Sequence, residues 1–341
     1  MESAKIKMLL LMRGNAGKEV AALKKALRKA LGEGAKAYAG LSAGNEFDAG
    51  TETALRAWQS GVGLVADGIA GPRTLSALGI SPPAKLDVVV DAATVKKLFP
   101  YTRTSSIDKN LPYVTAALAA FGLTGVNMIC AALGTIRAET EGFAPIPEMP
   151  SHFNTLPGQP AFSAYEYKLK LGNKNPGDGA RFRGRGYVQL TGRYDYIKYG
   201  DMLDIRLADN PDSACAPEVA ACLLAAFLSD NKEKLEAALA KNDLKAARKV
   251  VNGGSHGLER FSDTFRMAQK LWAAKPLVGA PARAAAPIAA RRASLNVKRD
   301  AADLRDRQYL PPPRSLPQIF PADVDIRHFM GAYTQAGLIL D

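Results

Sequence analysis

Apolar side chains return at three- and four-residue steps from residue 20 onward. Val20, Leu23, Leu27 and Leu31 share one side of a helix, while Lys24, Lys25, Arg28 and Lys29 take the other. The turn Gly14-Asn15-Ala16-Gly17 precedes it. Asp91 is placed to cap a helix through Val95 and Leu98. Residues 111–120 form another, and residues 126–140 put Ile129, Ala132, Leu133 and Ile136 on one face. The Ala- and Leu-rich run 216–241 predicts one long helix or two, and 244–251 and 260–273 add more. Only residues 187–190 read as a strand, and no βαβ alternation is visible. The pattern predicts a mainly α protein.

The segments 47–55 and 66–75 echo each other, each a turn followed by a Gly-x-x-Thr helix start, with Pro72 suited to a first helical position. This makes residues 1–80 a three-helix unit, close to the size at which a lone core is marginal. Its residues are Leu11-x-Arg13-Gly14-x-x-Gly17-x-x-Val20-x-x-Leu23, Gly50-x-x-Thr53, Trp58-Gln59, Gly63-Leu64-x-x-Asp67-Gly68 and Gly71-Pro72-x-Thr74. They resemble the peptidoglycan-binding module found at the ends of many wall hydrolases, which implies a non-catalytic anchor for wall polymer. Trp58 is read as core packing ahead of sugar stacking. Residues 81–86, with Pro82-Pro83, form a stiff linker to a second domain at 87–275. Residues 276–297 are an Ala/Pro/Arg linker. The extension 298–341 has an unknown role, open to being the start of a truncated further domain. Its Asp303–Pro311 run resembles the leader before some papain-like peptidase domains, but no cysteine follows Cys222, so no activity is assigned to it.

Composition narrows the partners. The chain has 47% hydrophobic and 23% charged residues, the balance of a soluble globular protein. No apolar run approaches the roughly 20 residues that span a bilayer. The short apolar run near Met1 lacks a cleavage site, so we expect synthesis in the cytoplasm without a classical signal peptide and delivery to the wall by another system. A formal net charge of +12 implies an anionic partner such as a bacterial wall. No nucleic-acid module is recognisable, and no stable membrane insertion and a monomer are expected. Three sparse cysteines argue against a disulfide framework, and His152, His256 and His328 lack ligand spacing, so no metal or cofactor is expected.

The candidate chemistry gathers in two places. Residues 179–196 form a Gly- and Arg-punctuated loop that ends in Gln189, Thr191 and an aromatic patch, a mixture suited to a sugar. Arg183, Arg185 and Arg193 are read as scaffold paired with acidic residues. Glu139, near the end of the 126–140 helix, borders its apolar face. Partial desolvation there favours a protonated carboxyl, which a general acid needs. Glu148 follows nine positions later, past Gly142, Pro145 and Pro147, a stiff excursion able to set a second carboxylate across a cleft. An inverting glycosidase uses such a pair, about 6.5–9.5 Å apart. On spacing alone, Glu141 and Glu166 compete for either role.

Ala138-Glu139-Thr140, then the run from Arg183-Gly184-Arg185-Gly186 through Gln189, Thr191 and Arg193 to Tyr196, then Val251-Asn252-Gly253-Gly254-x-x-Gly257-Leu258, resemble glycoside hydrolase family 19, the plant-type chitinases and bacterial or phage endolysins. The resemblance implies a bilobed, α-helical lysozyme-like domain with a small β region and an inverting, cofactor-free mechanism. It makes Glu139 the general acid, Glu148 the general base and Thr191 the residue that helps hold the attacking water. It assigns Gln189, Tyr187, Tyr194, Asp195 and Asn252 to substrate. The short Glu-to-Glu spacing resembles the endolysin branch. Departures are Ala138 for a frequent His, Asp195 for a frequent Asn, which favours an amine or charge on the substrate, and His256 for another Asn. The expected function is a peptidoglycan hydrolase cutting β-1,4 bonds between amino sugars. A chitinase, a lytic transglycosylase and an inactive wall-binding protein are the alternatives.

Overall fold

In the first unit, the periodicity of Val20, Leu23 and Leu27 becomes one wall of an apolar cluster with Phe47, Leu55 and Trp58. The structure, a computed structural model, describes residues 10–32, 38–82, 85–252 and 254–273. The helices of this unit are α1 (Lys18–Leu31), α2 (Ala49–Gly61) and α3 (Pro72–Ala77). Trp58 is buried with the cluster, so its role is packing. Asp48 caps α2 by accepting from Thr51 N at 2.8 Å, which satisfies an otherwise orphaned donor. Lys24 departs from the expected polar face. It is fully buried, with its ammonium 3.0 Å from Ser42 Oγ and 3.8 Å from Asp48 Oδ2, because the segment before α2 folds across it.

The larger unit runs α4 (Ala92–Leu98), α5 (Thr104–Ala120), α6 (Val126–Thr140), α7 (Asp178–Arg181), α8 (Arg193–Leu203), α9 (Pro217–Asp230), α10 (Lys232–Ala240), α11 (Leu244–Asn252) and α12 (Leu258–Ala273). The fold is mainly α. Asp91 caps α4 through Thr94 N. The run 216–241 is two helices, α9 and α10. Helix α6 lies at the centre because the stretch from Met128 to Ile136 carries no charged side chain and is buried on every side. Gly134 lets α12 press close: a Cβ there would stand 2.9 Å from Phe261 Cδ2. Among the described residues no helix is long and apolar enough to cross a membrane.

The only sheet among the described residues pairs β1 (Ile146–Pro147) antiparallel with β2 (Arg185–Gly186), Ile146 opposite Gly186. This corrects the strand expected at 187–190. Leu190 N donates to Arg185 O at 2.9 Å and Arg185 N returns a bond to Leu190 O at 3.3 Å, so residues 186–189 close a turn. Gln189 there adopts φ +48°. Side-chain alternation imitates a strand, but the backbone bonds belong to a loop closure.

The two units share apolar packing: Leu10 and Ile69 of the first belong to the core of the second. Polar contacts also cross the seam, among them Arg73 N donating to Glu218 Oε2 at 3.4 Å. Val65 N donates to Tyr113 Oη at 2.8 Å, and Thr74 N, in the first turn of α3, donates to Glu218 Oε1 of α9 at 2.7 Å. Glu218 is 1% exposed. The 276–297 linker and the 298–341 extension lie outside the described residues.

Candidate active site

Glu139 stands on the last turn of α6 with its side chain 14% exposed. Its Oε1 accepts from Arg248 Nη2 at 2.7 Å. Arg248 comes from α11, is fully buried, and donates through Nε to His256 O at 2.7 Å. Gly257, at φ +68°, closes this corner. A Cβ there would lie 3.1 Å from Ala138 Cβ and 3.3 Å from Arg248 Nη2, so the small residues at 138 and 257 let loop and helix meet. The carboxyl is thereby fixed in orientation at the rim of the buried core.

Glu148 follows β1. Its backbone N donates to Gly184 O at 2.8 Å, which continues the strand pairing. Three donors hold its carboxylate. Asn154 Nδ2 at 2.9 Å and Tyr165 Oη at 2.7 Å both donate to Oε1, and Gly184 N donates to Oε2 at 3.0 Å. Gly184, having no side chain, lets three oxygens gather beside it. A Cβ built there would lie 2.8 Å from Gln189 Oε1, 3.1 Å from Glu148 Oε2 and 3.2 Å from Thr191 Oγ1. The donors nearby are already engaged: Thr191 Oγ1 donates to Gln189 O at 2.8 Å, and Gln189 Nε2 donates to Ile146 O at 3.0 Å and Gly186 O at 2.9 Å. The three oxygens are therefore acceptors toward any neighbour, and a water that reaches them can donate to two of the three.

The competing carboxylates are engaged elsewhere. Glu141 pairs with Arg137 at 3.6 Å and Arg260 at 3.5 Å. Glu166 accepts from Gly177 N and Gly179 N and ties down the loop before α7. The arginines of the loop divide. Arg185 pairs with Asp212 at 2.7 Å and donates to Tyr196 Oη at 2.9 Å. Arg193 Nε donates to Asp178 Oδ2 at 2.8 Å. Together with backbone N–H bonds from Asn175 and Lys174, Arg193 holds the Asp178 carboxyl below its usual range, against the opposing effect of burial. Arg183 bonds the Ala180 carbonyl at 3.0 Å in place of an acid.

The expected substrate contacts do not converge. Tyr187 is fully buried, its ring 6.2 Å from Phe143, so its assignment to substrate is corrected: the turn at 186–189 aims it inward. Its hydroxyl has no hydrogen-bond partner. A buried orphan of this kind costs about 1–3 kcal/mol. Tyr187→Phe is therefore expected to raise the melting temperature by roughly 2–4 °C per kcal/mol recovered, with glycan turnover unchanged. A thermal melt and a rate measurement check both halves. Tyr194 is 61% exposed. Asp195 has Lys198 and Asp230 as its charged neighbours, and burial pushes its carboxyl up. The Asn252 side chain lies outside the described residues. The sequence reading missed Asn154, Tyr165 and Arg248. Asn154 and Tyr165 sit in a stretch without regular periodicity, and Arg248 looks like one more surface cation of α11.

Against known families and structures, one segment stands out. Residues 16–78 match the putative peptidoglycan binding domain. No curated protein matches the chain. Among solved structures, chitinase C from Streptomyces griseus is similar at 22% identity, over 57% of this chain and 82% of that one, with a TM-score of 0.39. A bacterial family 19 chitinase is similar at 22% identity over 52% and 94%, TM-score 0.32. A Burkholderia AP3 phage endolysin is similar at 18% identity over 78% and 98%, TM-score 0.26. These superpositions are loose, so the chemistry has to follow from the side chains themselves.

The crowding at Gly184 gives a direct expectation. Gly184 is not among the positive-φ glycines, so alanine fits its backbone. The added methyl would press on all three oxygens, most closely on Gln189 Oε1. Gly184→Ala is expected to lower turnover by about 10²-fold, the cost of displacing a reacting group by about an ångström, and to lower the melting temperature, because Gln189 is pinned through Ile146 O and Gly186 O and has to shift.

Proposed function

We propose that the chain is a peptidoglycan hydrolase that cleaves β-1,4 bonds between amino sugars with inversion. The match of residues 16–78 supports peptidoglycan as partner and residues 1–80 as its anchor. Glu139 is the general acid and protonates the leaving oxygen. Glu148 is the general base and takes one proton from water through Oε2, while Thr191 Oγ1 accepts the water's second hydrogen and holds it in place. The observation that carries this reading is the carboxylate of Glu148, held by three donors, with Oε2 gathered beside Thr191 Oγ1 and Gln189 Oε1 at Gly184. A general base needs that arrangement: a fixed carboxylate with one oxygen still able to accept, beside a seat for the nucleophile. The exposed ring of Tyr194 offers a flat face to sugar. Asp195 and Asn252 complete the proposed substrate contacts, Asp195 as a carboxylate that favours an amine on the glycan. Action on the wall follows from the substrate.

The test is mass spectrometry and anomer analysis of products from purified peptidoglycan. New hydrated reducing ends, formed first as the inverted α-anomer, are the expected result. Anhydro-sugar products would make the enzyme a lytic transglycosylase, oligomers from chitin alone a chitinase, and binding without turnover a wall-binding protein.

A further inference from the structure

The carboxylate of Glu148 is held asymmetrically. Oε1 accepts two side-chain bonds, from Tyr165 Oη at 2.7 Å and Asn154 Nδ2 at 2.9 Å. Oε2 accepts one backbone bond, from Gly184 N at 3.0 Å. A carboxylate oxygen has two lone-pair sites. Oε1 is therefore saturated, and Oε2 keeps one site on the side where Gln189 Oε1 and Thr191 Oγ1 stand. We propose that Tyr165 and Asn154 are positioning residues that commit Glu148 to proton transfer through Oε2 alone.

The surrounding loop is built to hold both donors still. Asn154 is 1% exposed, and its Oδ1 accepts from Ser151 N at 2.8 Å and Thr155 Oγ1 at 2.9 Å, so the amide cannot flip without losing both bonds. Its carbonyl accepts from Ala164 N at 3.1 Å, which brings Tyr165 back to Glu148 across the loop. Asn173, fully buried, donates to Tyr165 O at 2.8 Å and accepts from Arg193 N at 2.9 Å, and so ties Tyr165 to the first turn of α8. Two ends of the 179–196 loop thus meet at one carboxylate: Gly184 directly, and Arg193 through Asn173 and Tyr165. Burial first, and the adjacent Glu148 second, hold the Tyr165 phenol protonated far above its ordinary range. It stays a donor at every working pH. Freed from this clamp, the carboxylate could turn about its Cγ–Cδ bond and carry its free lone pair away from Thr191 Oγ1.

This inference rests on Glu148 acting as the base. Tyr165→Phe keeps the ring and removes one donor. On soluble glycan strands stripped of peptide, it is expected to lower kcat about 10- to 100-fold, within the range of general-base catalysis, with KM and melting temperature unchanged. In a Glu148→Gln background the same change is expected to leave the residual rate where it is, because Tyr165 acts only through Glu148. A Tyr165→Phe enzyme that keeps more than half its kcat overturns the proposal. So does an equal loss in both backgrounds, which marks a structural role. A wild-type chain without glycan turnover overturns the hydrolase reading and this inference with it, whereas an active wild type with an undiminished Tyr165→Phe variant overturns this inference alone.

Discussion

Glu148→Gln and Glu139→Gln are each expected to reduce glycan hydrolysis by about 10²- to 10⁴-fold, the range that a positioned acid or base supplies. Glu148→Gln should also lose stability. At Glu148 all three partners are donors: Asn154 Nδ2, Tyr165 Oη and Gly184 N. An amide offers only one oxygen. If that oxygen takes the two bonds at Oε1, the new NH2 faces Gly184 N–H, and a donor is left against a donor. The cost is about 1–3 kcal/mol, so Glu148→Gln should melt at a lower temperature as well as fail to turn over. At Glu139 the oxygen that meets Arg248 is Oε1, and a glutamine oxygen can keep that bond while losing the proton a general acid supplies. Reducing-end assays on purified peptidoglycan, with melts of the same samples, separate the effects. Activity retained in Glu148→Gln with loss in Glu139→Gln, and anhydro-sugar products, would replace the two-carboxylate mechanism with a single-acid one.

Local information in the chain reached some of this site and stopped where contacts become long-range. Helix α6 was legible because its apolar positions repeat, and with it the place of Glu139 beside a buried face. The role of Arg248 was not legible: it bonds Glu139 from 109 positions away, and amphipathic α11 gives no sign that one of its cations turns inward. The reading of Gln189 as a substrate amide met the same limit. Its Nε2 pins β1 to the turn after β2 through Ile146 O, a contact across 43 positions, and its oxygen stands beside Gly184. Tyr187 failed for a different reason. A turn with positive φ at both ends, Gly186 and Gln189, reverses the inward and outward sense that alternation assigns, and a glutamine at such a position carries no turn signal. Tyr165 and Asn154 lie between stretches with recognisable periods, where a sequence has little to say about which side chain returns to which carboxylate.

Glu218 leads to the other large effect, at the seam between the units. Burial pushes its carboxyl from 4.5 up to about 7, against the opposing bonds from Thr74 and Arg73. Asp67 sits nearby and is raised by burial from 3.8 to about 6, with Oδ2 lacking a partner. The other titratable groups facing this place are Arg56 of α2, Arg73 of α3, Tyr113 of α5 and Cys222 of α9 itself. No space remains for further solvation: a Cβ at Gly71 would stand 2.5 Å from Glu218 Oε2. A carboxyl whose folded pKa is raised contributes stability that is fully present below its unfolded pKa and lost as pH rises through the folded one. The seam should therefore be strongest near pH 4.5 and weaken through pH 7, by an amount on the order of a few kcal/mol. Carboxyls with lowered values, Asp48 and Asp178, lose their contribution only on the acid side of this window and do not mask it. Glu218→Gln removes the main titration while its amide oxygen can still accept from Thr74 N. It should flatten the pH dependence and match or exceed wild type at pH 8. Glu218→Ala leaves Thr74 N and Arg73 N unpaired in a buried site and should lower stability at every pH by about 1–3 kcal/mol or more. Melts at four pH values from 5 to 8 decide it, and a wild-type profile that rises toward alkaline pH, with the same slope in Glu218→Gln, would contradict the argument. Because Glu218 caps a helix of the unit that carries the peptidoglycan-binding match, the same titration sets how firmly that unit is held against the helices that position Glu139.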